Sequence, residues 1–549
     1  MTRSKRLHMA SRVMQGPTAL RRGLHRFGRD ESGAVVIFSI FMFICMLMVG
    51  GVGIDLMRFE RDRMALQNTL DRAVLAAADL DQTQPAEEVV RDYFDKAGVG
   101  AYLQSVTVDE GIGYRSVSAK ATSELDTYFL KLFDIDTMSA PASGQAEERI
   151  DGIEISLVLD VSGSMGSNQR LTRLRPAAKS FVDTVLASAQ EGNVYISVVP
   201  YATQVGVGQN LLSKYNVTNE HSYSHCVDFG DSDFNTTEIL PTDPLQRSGH
   251  FDPWYNYENP YLTVCSTNPD TQILPFSNDQ NALHNYIDDL EALGATSIDV
   301  GMKWGAALLD PGTQPVLSQM ITEGSVSGDF EGRPHAYNER TTLKVVVLMT
   351  DGENTTQYFL NDGFREGLSP VWYNSSRSVN GGRYSVQQGS NYWWPHTQTW
   401  EDHPYGNGTY EECEWRYRNG RWRWTCWDEN ESGTAVQLTY PELWNRLSVN
   451  WNMNNNMRFD SYRYYNWYDD VTDSAGSNTK DARTNAICTA AKDQGIVIFT
   501  VGFEAPDRGQ NVLRACASSD SHHFDVDGLA IDDAFASIAA SIRKLRLVQ

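Results

Sequence analysis

The first strong pattern along the chain is an uninterrupted apolar segment, residues 34–54, that contains no charged side chain. A helix of this length would be about 31 Å long, which matches the hydrocarbon thickness of a bilayer. Beyond it, apolar residues recur every seven positions from Phe59 to Leu80. This spacing puts them on one face of a helix, so we expect a single helix of about 45 residues that ends before Pro85.

Shorter patterns follow in residues 55–150. Residues 86–98 have helical spacing, residues 105–125 alternate apolar and polar positions, and residues 125–136 again have helical spacing. These patterns predict a helix, a β-hairpin and a second helix. A long half-buried helix followed by a small α+β unit is the plan of a pilin, so we expect one pilin-like unit here.

From residue 151 the pattern changes to apolar runs that alternate with amphipathic helical stretches. The runs, nearly continuous as in buried parallel strands, are residues 153–161, 194–202, 343–352 and 495–504. Strands that alternate with helices predict an α/β fold class with a doubly wound, mostly parallel sheet, whose ligands bind at the carboxyl ends of the strands. This domain is expected to extend to residue 549.

Two stretches interrupt the alternation, residues 208–273 and 355–474, and both are rich in Asn, Tyr, Trp, Asp and Gly. Eleven of the 13 tryptophans lie between Trp372 and Trp467. Disordered segments contain few aromatic residues, so both stretches are predicted to be folded insertions in the α/β domain.

Within the second insertion, residues 413–427 alternate strictly around Asn419-Gly420, the strongest short signal for a two-residue hairpin turn. This register puts aromatic residues on one face, four arginines on the other, and Cys413 opposite Cys426. We expect the aromatic face to pack on the domain. The arginines would bind either a polyanion, such as lipopolysaccharide or an acidic pilin, or the domain's own carboxylates, and we favour the carboxylates.

Charge and cysteine content bear on the compartment. Residues 1–33 carry a net charge of +6 and the whole chain carries −24, so the remainder is strongly acidic, which argues against nucleic acid as the main partner. Basic residues before an apolar span predict a cytoplasmic N-terminus, a single-pass anchor at 34–54 in a bacterial inner membrane, and a periplasmic or surface-exposed body. A cleaved signal peptide is the alternative.

Six cysteines lie outside the span, and an even number in an oxidising compartment suggests disulfide bonds. The simplest pairing is sequential. It joins Cys413 to Cys426 in the hairpin, Cys488 to Cys516 on neighbouring helices, and Cys226 to Cys265 in the first insertion.

Oxygen-bearing side chains stand where the predicted strands end. The five residues are Asp160, Ser162, Ser164, Thr296 and Asp351. The motif Asp-x-Ser-x-Ser, followed by the threonine and the second aspartate, resembles the metal-ion-dependent adhesion site of von Willebrand factor A (VWA) domains. The resemblance implies Mg²⁺, or Mn²⁺ or Ca²⁺, with an open position for a partner's carboxylate, and such oxygen donors suit Mg²⁺. The alternative is that the hydroxyls only cap helices.

A phosphoryl-handling enzyme is a third interpretation, because an aspartate after a strand can be a phosphatase nucleophile. Haloacid-dehalogenase enzymes have a second aspartate two residues later, where this chain has Ser162. The prediction is therefore a protein without catalytic activity.

The N-terminal residues 27–43, the heptad helix and the small α+β unit resemble the TadE/TadG-like region. Together with the VWA-like domain they resemble TadG-like proteins of the tight-adherence (Flp) pilus system. The family implies a metal-dependent binding module that assembles or anchors adhesive pili with other envelope proteins. One departure is Phe38, where prepilin processing after Gly33 would need Glu. The alternative function is a surface adhesin that binds glycan or host protein through the aromatic insertions.

Overall fold

In the computed structural model the chain is described over residues 32–79, 82–111, 114–149, 152–187, 193–339, 342–376 and 382–544. Nearly all of the basic segment 1–33, predicted to be cytoplasmic, lies outside the described residues. The chain divides into two compact units, Met1–Glu110 with Arg115–Glu148, and Gly111–Tyr114 with Arg149–Gln549.

The first unit contains two helices and one three-stranded sheet. They are α1 (Ser32–Ala78), α2 (Ala86–Lys96), β1 (Leu103–Gly111), β2 (Tyr114–Asp126) and β3 (Thr137–Arg149), with the strands in the order β1-β2-β3. The second half of α1 contributes Leu70 and Ala77 to a core that it shares with Phe94 and Val117. The first half of α1 is exposed, and the helix is long and apolar enough to cross a membrane. The predicted long N-terminal helix is thus confirmed.

The predicted helix over 125–136 is wrong. The structure has strand β2 up to Asp126 and then a single 3₁₀ turn, Leu130–Phe133. Tyr128, Leu132 and Phe133 are exposed, although a packed helix would bury such a stripe. Strand β3 follows, and its pattern escaped the sequence analysis because the residues that it buries are small alanines.

The turn is held by Asp55, a buried carboxylate on α1 one residue beyond the predicted span. Its oxygens accept hydrogen bonds from the backbone N–H groups of Tyr128, Phe129 and Leu130, at 2.7–3.2 Å. The ring of Phe129 lies against Gly51, where a Cβ atom would come within 2.2 Å of it. The turn therefore packs beside the last turns of the apolar segment.

The second unit begins with strand β4. Its strands are β4 (Gly152–Asp160), β5 (Val194–Tyr201), β6 (Val227–Asp228), β7 (Gln246–Arg247), β8 (Leu274–Ser277), β9 (Thr342–Thr350), β10 (Gln357–Leu360), β11 (Leu368–Asn374), β12 (Tyr384–Gln388), β13 (Asn391–Trp394), β14 (Thr399–Glu401), β15 (Thr409–Arg418), β16 (Arg421–Asn430), β17 (Ala435–Thr439), β18 (Thr472–Ala475), β19 (Val497–Phe503) and β20 (His523–Val526).

Helices connect and cover these strands. They are α3 (Arg170–Ala187), α4 (Gln209–Leu212), α5 (Gln280–Asp289), α6 (Ile298–Ala307), α7 (Gln314–Thr322), α8 (Tyr440–Arg446), α9 (Val449–Trp451), α10 (Ser477–Asp493), α11 (Asp507–Cys516) and α12 (Ala530–Lys544).

Six strands form the central sheet in the order β20-β19-β9-β4-β5-β8. The first five are parallel, and the short edge strand β8 is antiparallel to β5. One face of the sheet is covered by α3, α5 and α12, and the other by α6, α7, α10 and α11. Strands β4 and β5 are buried along their whole length, as their continuous apolar runs require. The predicted α/β class is confirmed.

The two insertions share one apolar core. Phe251 and Val264 of the first insertion pack in the same cluster as Val371 and Trp444 of the second. The second insertion also contains a five-stranded sheet in the order β14-β13-β12-β11-β17. Part of the tryptophan-rich composition, including Trp393 and Trp444, therefore builds this core.

The hairpin β15–β16 has the predicted register, with Cys413 opposite Cys426, but it is not packed as predicted. None of its 20 strand residues is buried. The aromatic face does not pack on the domain, because an alternating pattern defines two faces without saying what covers either. One arginine, Arg416, pairs with Glu414 and stacks on the ring of Trp427 at 3.5 Å.

Three disulfide bonds join Cys226 to Cys265, Cys413 to Cys426, and Cys488 to Cys516. The bond between Cys488 and Cys516 connects α10 to α11 inside the core beneath the sheet. Cys45, on the exposed half of α1, is free.

Candidate functional site

Two buried aspartates meet at the carboxyl edge of the central sheet. Asp160 is the last residue of β4 and Asp351 directly follows β9. The two strands are adjacent and parallel, with Leu159 opposite Met349, so both carboxylates stand at the same edge. Asp160 is 0% exposed and Asp351 is 2% exposed. Two neighbouring carboxylates that are both buried away from water need a positive charge beside them.

The two serines of the motif connect these carboxylates. The backbone N–H of Ser162 donates to Asp160 Oδ1 at 2.7 Å. The hydroxyl oxygens of Ser162 and Ser164 are 3.1 Å apart, and the Ser164 hydroxyl donates to Asp351 Oδ1 at 2.7 Å. Both hydroxyls therefore lie between the carboxylates, and the Ser162 side chain makes no capping hydrogen bond to the short turn that follows it.

Thr296 approaches the same point from the loop that precedes α6. Its backbone N–H donates to the hydroxyl of Thr355 at 2.9 Å, which fixes the loop. A Cβ atom added to Gly352 would lie 3.7 Å from Thr296 Oγ1 and 3.9 Å from Ser164 Oγ. The absence of a side chain at Gly352 thus leaves a small space that two of the predicted hydroxyls face.

The electrostatics of the site favour a cation. Burial, and then the negative charge of Asp351, raise the pKa of Asp160 to about 7. The guanidinium of Arg170 donates to Asp351 Oδ2 at 2.7 Å and to Glu504 at 3.0 Å, so it offsets only part of the negative charge. A divalent cation between the carboxylates would stabilise both in their ionised form.

All of the side chains that converge here carry oxygen donors, and a hard cation such as Mg²⁺ prefers oxygen ligands. Asp160, Asp351, Ser162, Ser164 and Thr296 would hold such an ion, and the residues present fit it. The five predicted residues thus lie together at one edge of the sheet, although they come from three separate segments of the chain.

Other residues of the site were not predicted. Thr350 donates its hydroxyl to Asp160 Oδ2, and Arg170 holds Asp351. Lys480 on α10 is fully buried and donates to the Thr296 backbone carbonyl at 2.8 Å and to the Ser297 hydroxyl at 2.6 Å. A lysine in a polar helical segment has no sequence signal that separates it from a surface lysine.

Asn354, three residues after Asp351, has a structural role. Its side-chain oxygen accepts the backbone N–H of Ile298 at 2.8 Å, and its amide donates to Asp481 at 2.9 Å. Asn354 therefore joins the start of α6 to α10 and orients the loop that carries Thr296.

A cavity of about 240 Å³ lies beside the site at the same sheet edge. Its walls combine the ends of β4 and β5 with the loop before Thr296 and part of the first insertion, including Val161, Thr203, Gly294, Tyr261 and Asn268. The first insertion thus borders the edge where the carboxylates meet.

Comparisons with known proteins were made for the whole chain. Residues 33–80 match the family model described as putative Flp pilus-assembly TadE/G-like. No curated protein sequence matches the chain.

Among solved structures, the chain resembles the vWF domain of a type V pili tip protein from Porphyromonas gingivalis. The identity is 14% and the TM-score 0.31, over 73% of this chain and 98% of that one. It also resembles a pilus adhesin from Lactobacillus rhamnosus GG, with 12% identity and a TM-score of 0.30, over 80% of this chain and 33% of that one. A third similar structure is an adhesive tip pilin from Group B Streptococcus agalactiae. The identity is 14% and the TM-score 0.29, over 71% of this chain and 100% of that one.

The chain spans about a third of the length of the Lactobacillus adhesin. The family match rests on 33–80, within the described helix α1 and the residues just after it, and this segment is similar to TadE/G-like proteins of Flp pilus assembly.

Proposed function

We propose that this chain is a membrane-anchored, TadG-like binding protein of Tad/Flp pilus assembly, in which a VWA-type domain binds a partner through a divalent cation. The observation that carries the proposal is the convergence of Asp160, Ser162, Ser164, Thr296 and Asp351 at the carboxyl edge of the sheet. The TadE/G-like match over residues 33–80 supports the assignment to pilus assembly.

A bound Mg²⁺ would supply an open coordination position that accepts a carboxylate oxygen of the partner. The residues of the chain prepare this step. Ser164 and Arg170 orient Asp351, Thr350 and the Ser162 N–H orient Asp160, and Lys480 fixes the loop that bears Thr296. The neighbouring cavity would receive the rest of the partner's side chain or backbone.

A role without catalysis is supported by the residue types beside Asp160. A phosphatase nucleophile of this kind needs a neighbouring general acid. The residue two positions after Asp160, where such an acid would stand, is Ser162.

The adhesin hypothesis has less support in the insertions. Trp393, Trp394 and Trp444 are at most 8% exposed, so they build a core instead of a binding surface. Exposed aromatic residues are found in the hairpin β15–β16 and at other positions of the insertions, such as Trp400 and Tyr462.

The first test is metal binding by the full chain in phospholipid nanodiscs, titrated with Mn²⁺ and followed by electron paramagnetic resonance. We expect one site, weakened at least about tenfold in Asp160→Ala, because the variant removes a charged ligand. The matched control is Asp288→Ala, which removes an exposed carboxylate that pairs with Lys179 and is not one of the proposed ligands. Equal Mn²⁺ binding by Asp160→Ala and wild type would contradict the proposal.

The second test is partner capture. Full-length chain, cross-linked in piliated cells, is isolated with and without a chelator. Envelope or pilus proteins should be recovered with the wild type, lost with the chelator, restored by Mg²⁺, and absent with Asp160→Ala. Recovery that survives both chelator and substitution would place recognition away from the metal site.

A further inference from the structure

The hairpin β15–β16 presents an exposed aromatic face. Trp415, Tyr417, Trp422 and Trp424 are 61%, 61%, 64% and 55% exposed. They stand as two cross-strand pairs, with ring centroids 5.5 Å apart for Trp415 and Trp424 and 5.4 Å apart for Tyr417 and Trp422. Rings paired in this way form one continuous apolar surface, whereas aromatic residues that are exposed singly do not form such a surface.

The opposite face carries the charge. Residues 415–424 contain four arginines and no acidic residue, in a chain whose net charge is −24. Arg418, Arg421 and Arg423 are exposed, and no ion pair within the described residues involves them. The acidic residues of the hairpin lie at its base, at positions such as Glu411 and Glu429. The tip is therefore a cationic region on an acidic protein.

We propose that the tip of this hairpin, residues 415–424, binds the interface of an anionic lipid bilayer. Tryptophan and tyrosine are enriched at the boundary between headgroups and acyl chains, because one end of each ring system is apolar and the other tolerates water. Arginine binds phosphate oxygens through paired N–H donors and reaches them along an apolar stem. An anionic bilayer would thus bind both faces of the tip at once.

Other polyanions fit the tip less well. An acidic polypeptide would engage the arginine face and leave four aromatic rings in water. A glycan site needs polar groups beside the stacking rings, but here the charged residues stand on the other face of the strands. The disulfide bond between Cys413 and Cys426 fixes the register, so the two faces stay separated.

The test uses the full chain held by α1 in phosphatidylcholine nanodiscs. Vesicles of phosphatidylcholine alone, or mixed equally with phosphatidylglycerol, are added and sedimented, and brominated lipids report tryptophan contact by fluorescence quenching. We expect binding and quenching with the anionic vesicles only. Binding should weaken with added salt, since the attraction is partly electrostatic.

Two variants separate charge from aromatic contact. Each basic residue close to an anionic surface contributes roughly a factor of five, so Arg418→Gln with Arg421→Gln and Arg423→Gln should lower affinity about a hundredfold. Trp415→Ser with Trp422→Ser and Trp424→Ser should lower it at least about tenfold and abolish the quenching. The control changes three exposed tyrosines elsewhere in the insertion, Tyr462, Tyr464 and Tyr465, to Ser.

All substituted residues are exposed, and retention of the Cys413–Cys426 bond and of near-ultraviolet circular dichroism verifies that each variant folds. Vesicle binding that is equal for both lipid mixtures, or unchanged in the arginine and tryptophan variants, would overturn the proposal. So would binding of polyglutamate or alginate without vesicles, if the same variants abolish it, because the ligand would then be a soluble polyanion. None of these variants touches the metal site, so the two proposals fail independently.

Discussion

At the scale of single residues, the candidate metal site depends on a buried lysine that is not itself one of the proposed metal ligands. Lys480 donates to two backbone carbonyls, those of Thr296 and Thr355, and lies 3.9 Å from the carboxylate of Asp299, which is also fully buried. Burial lowers the pKa of Lys480 to about 8, and burial likewise raises the pKa of Asp299. Both residues are costly to bury, so each depends on the other.

Lys480→Met should therefore destabilise the domain by about 3 kcal/mol, because it leaves the buried Asp299 with Arg483, also 3.9 Å away, as its remaining cation and removes the donor to two backbone carbonyls. The measurement is urea unfolding of the nanodisc-held chain, followed by tryptophan fluorescence. Lys179→Met, which breaks a surface pair with Asp288, is the control and should cost at most about 1 kcal/mol. Adding Asp299→Asn to Lys480→Met should restore part of the loss. A cost for Lys480→Met as small as that of the control would show that the lysine does not support the site.

At the scale of elements, the first insertion contains a histidine that the fold keeps neutral. His250 is 7% exposed, and its ring lies 6.1 Å from that of His221 and 5.6 Å from that of Tyr223. Burial, and then the neighbouring His221, lower the pKa of His250 to about 4. In the unfolded chain the histidine takes up a proton below about pH 6.5, whereas in the folded insertion it stays neutral.

Since the unfolded state then binds more protons, stability must fall as the pH drops from 6.5 towards 4. Between pH 7 and pH 5 the loss from this residue should be about 2 kcal/mol. Urea unfolding at both pH values measures it. His250→Gln should reduce the loss. An equal pH dependence in wild type and His250→Gln would refute the assignment.

At the scale of the whole molecule, the prediction concerns topology. If α1 crosses the membrane with its basic end inside, residues 1–33 remain in the cytoplasm and everything after residue 54 is exported. Protease added to spheroplasts should degrade the body and spare an N-terminal tag, and both should be degraded after lysis. A mature chain that begins near residue 52 would instead identify the apolar segment as a cleaved signal peptide.

The sequence was informative where one residue type in one pattern has a single physical explanation. The apolar runs of β4 and β9 are typical of parallel strands that are covered on both faces. Because the carboxyl ends of parallel strands meet at one edge of the sheet, Asp160 and Asp351 were expected together at that edge. Lys480 could not be recognised, because its burial depends on a partner, Asp299, that is 181 positions away. Segment 125–136 was assigned to a helix for a related reason, since the carboxylate that holds it as a turn lies on α1.

If α1 spans a bilayer, that carboxylate has a consequence for the depth at which the helix lies. Three backbone N–H groups bind Asp55 just beyond the last apolar residue of the span, and Phe129 covers Gly51. The helix cannot slide inward without dragging a polar turn into hydrocarbon, nor outward without exposing its apolar turns to water. Asp55 and its turn would thus hold the helix at one depth in the bilayer, because the hydrogen-bonded turn resists entry into hydrocarbon.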